Sequence, residues 1–377
     1  MLYDLSKLPL QTLLRPISDA GAALVRLDER IARSPVGQGW LERSHYTDAC
    51  ASLWLDGEAV HLEDLVLHDA GHDIRSPTHE LTIARDVLRT RRRIVANPPS
   101  WALSAEGLRS LRGQGSGDLE TKAVVTRMGD GAGSGQRTQV GQGVERDTDA
   151  EDPLDAELAA IDAVLARTTA VINEARAPGR RPERPRDPLV SDLDWDEDER
   201  LDEWRAVITE VDGLPPVLRA IIALDAWNSL QVLQHAPWLG RLLAASILRE
   251  AGLTTPLHLA AVNSGLRSVP FERRRHPGRN TRLLAILNGL LAAAENGLKE
   301  HDRLLLARQM LERHLVGRRT SSMLPELIDL VMARPLVSAG MVADRLGVTS
   351  RAALRVIAEL QLREMTGRGR FRAWGVI

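Results

Sequence analysis

The stretch SAGMVADRLGVTSRAALRVIAELQLREMTGRGRFRAWGVI, residues 338–377, decides how this chain is read. Two short amphipathic segments flank Gly347. Val342, Ala343 and Leu346 form the apolar face of the first, and Ala353, Val356 and Ile357 that of the second. Gly347 stands where the first helix must end, a position that often needs positive φ. Thr349 or Ser350 then caps the second helix. This is the pattern of a helix-turn-helix. It leaves Ser350, Arg351 and Arg355 on the outward face and N-terminal end of the second helix, where a recognition helix reaches base edges and phosphates. Two extended runs follow, Leu362–Met365 and Phe371–Val376, around Thr366-Gly367-Arg368-Gly369-Arg370. They predict a β-hairpin wing with Arg368 and Arg370 at its tip and Arg372 on the return strand.

Charge coincides with the motif. Residues 340–377 hold seven arginines (345, 351, 355, 363, 368, 370 and 372) against Asp344, Glu359 and Glu364, a formal surplus of four in a chain of net charge -2. The expected partner is double-stranded DNA, met by Arg345, Thr349, Ser350, Arg351, Arg355, Arg368, Arg370 and Arg372. A winged helix kept for docking protein, with a solvated basic face, is the alternative this pattern leaves open.

Upstream, 377 residues suffice for two or three domains, and 44% hydrophobic with 27% charged residues suits a globular chain. Cys50 is the only cysteine, which excludes an internal disulfide or a Cys-rich zinc site and fits a reducing, cytoplasmic setting. No signal peptide or run of eighteen apolar residues is found, so no membrane association is expected.

The periodicity predicts a mainly α body. Leu10, Leu13, Leu14, Ile17, Leu24, Leu27 and Ile31 recur as one buried helical face, and further helices are predicted near Gly39–Leu55, Leu62–Leu67, Pro77–Val95 and Leu154–Arg176. The Gly-rich, polar segment 113–152 reads as a flexible linker, and "APGRRPERPRDP" as a Pro/Arg loop. From Glu197 to His314 helices dominate again. The predicted division is a helical N-terminal region (1–112), the linker (113–152), a second helical domain (153–318) and the winged helix-turn-helix (319–377).

Three polar clusters were weighed. "HLEDLVLHDAGHD" brings His61, His68, His72, Asp69 and Asp73 together, but Gly71 interrupts the helix that would align two histidines, so it reads as surface and no metal is expected. "FERRRHPGRNTR" is an exposed arginine loop before a helix at Thr281, or a second phosphate-contacting patch. "DPLVSDLDWDEDERLDEW" is a solvated, acidic helix start. Phosphate loops, dinucleotide fingerprints and nucleophile elbows are absent, and no cofactor or catalytic residue is assigned.

The ending "LREMTGRGRFRAW" resembles the C-terminus of many Fic-family (Fic/Doc) proteins. "ACASLWLDGEAVHLEDLVL" looks like that family's N-terminal inhibitory helix, matched by Ser52, Asp56 and Gly57 with Asp in place of Glu. "LPPVLRAIIALDAWNSLQVLQHAPWLGRLLAASILREAGLTTPLHL" looks like the stretch around the family's catalytic motif. The resemblance implies a Fic-like helical body. At the motif itself the chain reads His235-Ala-Pro-Trp-Leu-Gly240-Arg241, which keeps His235 but lacks the acid and the Gly-Asn-Gly turn. Without that turn no cradle of N–H groups holds phosphate, and Asp56 is expected to have no ATP-site arginine to oppose. The chain also looks like bacterial proteins that pair a domain of unknown function with this helix-turn-helix, through "PWLGRLLAAS", "GLKEHDRLLLARQMLER" and "ARPLVSAGM".

The sequence therefore predicts a DNA-binding transcriptional regulator, expected as a homodimer, whose degenerate Fic-like body serves dimerisation or sensing. The alternatives are a divergent Fic-type nucleotidyltransferase or toxin-like enzyme carrying a DNA-binding module, and a protein scaffold that binds no nucleic acid.

Overall fold

A computed structural model describes residues 3–5, 8–72, 76–112, 195–315, 323–366 and 372–376. The linker, the helix expected at 154–176 and the wing tip with Arg368 and Arg370 lie outside the described residues.

The architecture is mainly α with one small sheet. The helices are α1 (Leu10–Ala32), α2 (Gly37–Leu55), α3 (Leu62–Asp69), α4 (His79–Ala96), α5 (Ala105–Arg112), α6 (Glu197–Glu210), α7 (Pro216–Leu230), α8 (Trp238–Glu250), α9 (Val262–Arg267), α10 (Phe271–Arg274), α11 (Arg279–Glu312) and α12 (Leu324–Ala333). Strand β1 (Val337–Ser338), α13 (Ala339–Leu346), α14 (Ser350–Glu359), β2 (Arg363–Glu364) and β3 (Ala373–Gly375) complete the chain. The strands form an antiparallel sheet in the order β1-β3-β2, with Val337 opposite Trp374 and Glu364 opposite Trp374 on the other side. Strand β1 is too short to show an alternating pattern, so periodicity could not find it.

Helix α1 packs along α11, and α9 crosses α11 closely. A Cβ on Gly265 would collide with the Gly289 carbonyl, so this crossing needs glycine at 265. The 34-residue α11 is the spine of the body. On α1 the buried stripe is Leu13, Ala20, Leu24, Leu27 and Ile31, whereas Leu10 (45% exposed) and Leu14 (64%) face solvent. The sequence reading put both on the buried face. They lie on the first turns, where the spacing from Leu13 turns them away from α11. At the arginine-rich loop the long helix starts at Arg279 rather than Thr281, after the short α10.

Helix ends follow local chemistry. Asp196 caps α6 by accepting from the N–H groups of Asp198 (2.9 Å) and Glu199 (3.1 Å), so the acidic run is a helix start. Gly71 has φ +70, just beyond the end of α3, so the helix does stop between His68 and His72. Among the described residues no group of three or more metal-ligating side chains gathers, and no helix is long and apolar enough to cross a membrane.

A buried polar chain runs through the body. Arg91, fully buried on α4, donates to Asp48 (2.5 Å), His45 Nδ1 (3.3 Å) and the Leu259 carbonyl (2.8 Å). Asp48 also accepts from the Asn263 amide (2.7 Å) and the Ser264 N–H (2.8 Å). Asn263 Oδ1 accepts from Arg241 Nε (2.6 Å), and Arg241 donates to both Asp56 oxygens (3.0 and 2.6 Å) and to Ser52 Oγ (3.0 Å). Each charge is thus paired, as burial in a medium of low polarity requires. Asp56, for which no ATP-site arginine is expected, is met by Arg241, one turn into α8.

Candidate nucleic-acid interface

The helix-turn-helix is built by short-range signals. Ser338 accepts from the Met341 N–H (3.2 Å) and caps α13. Gly347 adopts φ +64, a left-handed conformation that costs a side-chain-bearing residue roughly 1–2 kcal/mol. Thr349 Oγ1 accepts from the Ala352 N–H (3.3 Å) and caps α14. Val342, Ala343, Ala353 and Ile357 are buried between the two helices, while Leu346 and Val356 are half-buried at the edge.

On the opposite side Arg345, Thr349, Ser350, Arg351 and Arg355 are all exposed. Among the described residues none of these three arginines has a carboxylate within ion-pair distance. Arg351 and Arg355 lie one turn apart on α14, and Leu354 stands beside them, 41% exposed. The sequence reading missed Leu354. Its signal was an apolar residue out of phase with the buried Ala353 and Ile357. Asp344 of α13, beside Arg345 in sequence, pairs with His72 Nε2 at 3.2 Å, and Glu359 lies one turn beyond Arg355 on α14.

Arg372 is placed differently. It pairs with Glu364 across β2 and β3 (2.6 Å) and lies over the Trp374 ring at 5.2 Å. Hydrogen bonding to Glu364 raises its pKa. Arg345, Arg351 and Arg355 make no such ion pair among the described residues, whereas Arg372 is engaged.

The module is held by the body. Buried Arg43 on α2 donates to the carbonyls of Val331 (3.1 Å), Arg334 (2.8 Å) and Val376 (3.3 Å). Burial lowers the Arg43 pKa, and Glu300 at 3.7 Å opposes that. Beside it Asp69 receives the Tyr46 hydroxyl (2.6 Å), Arg92 (3.0 and 2.9 Å) and Arg334 (3.2 Å). Arg334 also covers the Tyr46 ring at 5.2 Å. The sequence assigns no role to Arg43 or Arg334, because their partners come from distant segments, and reads Asp69 as part of a surface cluster, whereas its side chain is 11% exposed.

His235 sits in the loop before α8, 53% exposed, with Nδ1 3.0 Å from Glu197. The following turn brings Pro237, which has no N–H to offer an anion.

Two family models match the chain. One, described as a protein of unknown function (DUF1612), covers residues 189–316. The other, described as an HTH DNA binding domain, covers residues 324–377. The chain is also 62% identical over 392 residues to "Uncharacterized protein y4cF" of Sinorhizobium fredii (strain NBRC 101917 / NGR234), with all of both chains covered. The second match spans the winged module described above and identifies it as a helix-turn-helix DNA-binding domain. With that extent of identity and both domains in place, the chain belongs to the family of y4cF, in which a DUF1612 region precedes a C-terminal helix-turn-helix DNA-binding domain.

Proposed function

We propose that the protein is a transcriptional regulator that reads double-stranded DNA through α14. The observation that carries this reading is the exposed pair Arg351 and Arg355, one turn apart on the second helix of the motif, with no carboxylate at ion-pair distance among the described residues. In this reading at least one of them meets a base edge, Leu354 lies against a thymine methyl, and Thr349 and Ser350 reach phosphate or base at the helix N-terminus. Arg345 holds backbone phosphate from the preceding helix. Arg368 and Arg370, assigned from sequence alone, extend phosphate contact through the wing. Arg372 acts through Glu364 and Trp374, setting the wing base rather than touching DNA.

The body serves dimerisation or sensing. A homodimer would place two such helices on half-sites one helical turn apart. The likeness of the body to a Fic fold is supported by Asp56 at the end of α2 facing Arg241 on α8. Group transfer is not part of the proposal, because His235 is exposed and engaged by Glu197 rather than set beside a phosphate cradle. Genomic footprinting with the purified protein tests the reading. A discrete set of sites supports it, and uniform background at every sequence rejects it.

A further inference from the structure

Far from the helix-turn-helix in sequence, the body holds a cleft of about 560 Å³ between α7, α8 and the segment around α10. The volume is in the range of small-molecule sites. Its wall is mixed. Leu224, Leu233, Leu266, Ile286 and Trp227 supply apolar surface, while Arg241, Arg274, Arg275 and Arg282 supply charge. Only two carboxylates line it, and both are engaged: Asp56 by Arg241 (2.6 Å) and Asp225 by Arg282 (2.7 Å).

Arg274 and Arg275 have no carboxylate within ion-pair distance among the described residues. Arg274 is nevertheless fixed in place. Its Nε donates to the Val269 carbonyl (3.0 Å), and its guanidinium lies 5.6 Å from the Trp54 ring and 5.7 Å from the Phe271 ring. Arg275 stacks on Phe271 at 5.3 Å. Burial first, then the neighbouring cations Arg241 and Arg275, lower the Arg274 pKa, a cost that an anion would relieve. On the apolar side, Trp227, 2% exposed, is among the lining residues, and its indole N–H is buried.

We propose that this cleft binds a small organic dianion, a dicarboxylate or phosphate monoester with an apolar body, its charge held by Arg274 and Arg275. The apolar body lies against Leu224, Leu233 and Ile286. The ligand's role as an effector of DNA binding rests on the regulator reading above; the binding itself does not.

The test uses the full chain, with thermal shift and calorimetry on four probes: phenyl phosphate, phenylsuccinate, inorganic phosphate and phenol. One or both of the first two should bind and raise Tm, and their relative affinity tells ester from dicarboxylate. The Arg274→Gln/Arg275→Gln variant should weaken that binding by about tenfold or more, while Arg15→Gln on exposed α1 leaves it unchanged. Circular dichroism and the ligand-free Tm show that the variants fold. The proposal is overturned if neither organic anion binds, if inorganic phosphate binds as tightly as phenyl phosphate, or if binding is unchanged in the double variant. DNA affinity is read in parallel. Anion binding without any DNA binding would reject the regulator reading and leave the site standing.

Discussion

The Arg43 guanidinium donates to the main-chain carbonyl of Arg334 at 2.8 Å, from a helix of the body to the end of the first helix of the DNA-binding module. Two further carbonyls, of Val331 and Val376, share the same side chain. A cation at a helix C-terminus also complements its dipole. The outward face of α14 is thereby held by the body instead of tethered loosely. Arg43→Met should leave three carbonyls underbonded and cost about 3 kcal/mol in urea unfolding. Amide exchange should speed up mainly across 323–376. Equal acceleration in α7 and α8 would show that Arg43 supports the whole core and not this junction.

Arg241 and Asp56 make the second long-range clasp. Asp56 is 21% exposed and Arg241 9%, so the pair is not fully desolvated. Removing the acid still strands a mostly buried cation that also serves Asn263 and Ser52. Asp56→Ala should cost about 2–3 kcal/mol, at the lower end for a broken buried pair because some water reaches the site. A double-mutant cycle with Arg241→Gln should return positive coupling. Additive losses would show that the two side chains merely sit side by side.

His45 makes stability depend on pH. Burial, and then the nearby charge of Arg91, push its pKa well below the usual imidazole value. Its Nδ1 accepts from Arg91, which suits the neutral ring. In the unfolded chain His45 takes up a proton near pH 6.5, while in the folded chain it resists. The unfolded state then binds more protons, so this contribution is fully present above about pH 6.5 and is lost as pH falls below it. His45→Gln keeps an acceptor for Arg91 and removes the titration. Its Tm should fall less steeply than wild type between pH 7.5 and 5. Parallel profiles would contradict the assignment.

Thr349 holds the N-terminus of α14. Thr349→Ala should cost about 1 kcal/mol of stability, and Thr349→Asn should restore most of it because Asn also caps well. An unchanged midpoint for Thr349→Ala would mean that the cap carries no weight.

The module was legible because its signals are local. Gly347 and Thr349 act within a few residues of where they stand, and the 3.6-residue period marks buried faces directly. The body's helices were legible for the same reason, within a residue or two at α2 and α4. What escaped was pairing across the chain. Arg241 and Asp56 are 185 residues apart, and Arg43 reaches Val376 across 333. No spacing rule links such positions. The cleft escaped similarly, since Asp56, Trp227 and Arg274 come from three separate segments. Leu10 and Leu14 show the opposite failure: a periodic apolar pattern that continues past the surface it packs on.

The central claim is that the Arg351 and Arg355 face of α14 reads DNA. The most direct measurement is a salt titration of binding to a footprinted site and to random duplex, for wild type and for Arg351→Ala and Arg355→Ala. The account predicts that the base-contacting arginine costs ~1–3 kcal/mol on the specific site and relaxes preference at one position. An arginine that holds only phosphate should weaken both duplexes alike and lower the salt slope by about one unit. Unchanged affinity of both variants for both duplexes would contradict the account and leave the exposed face as a surface for protein.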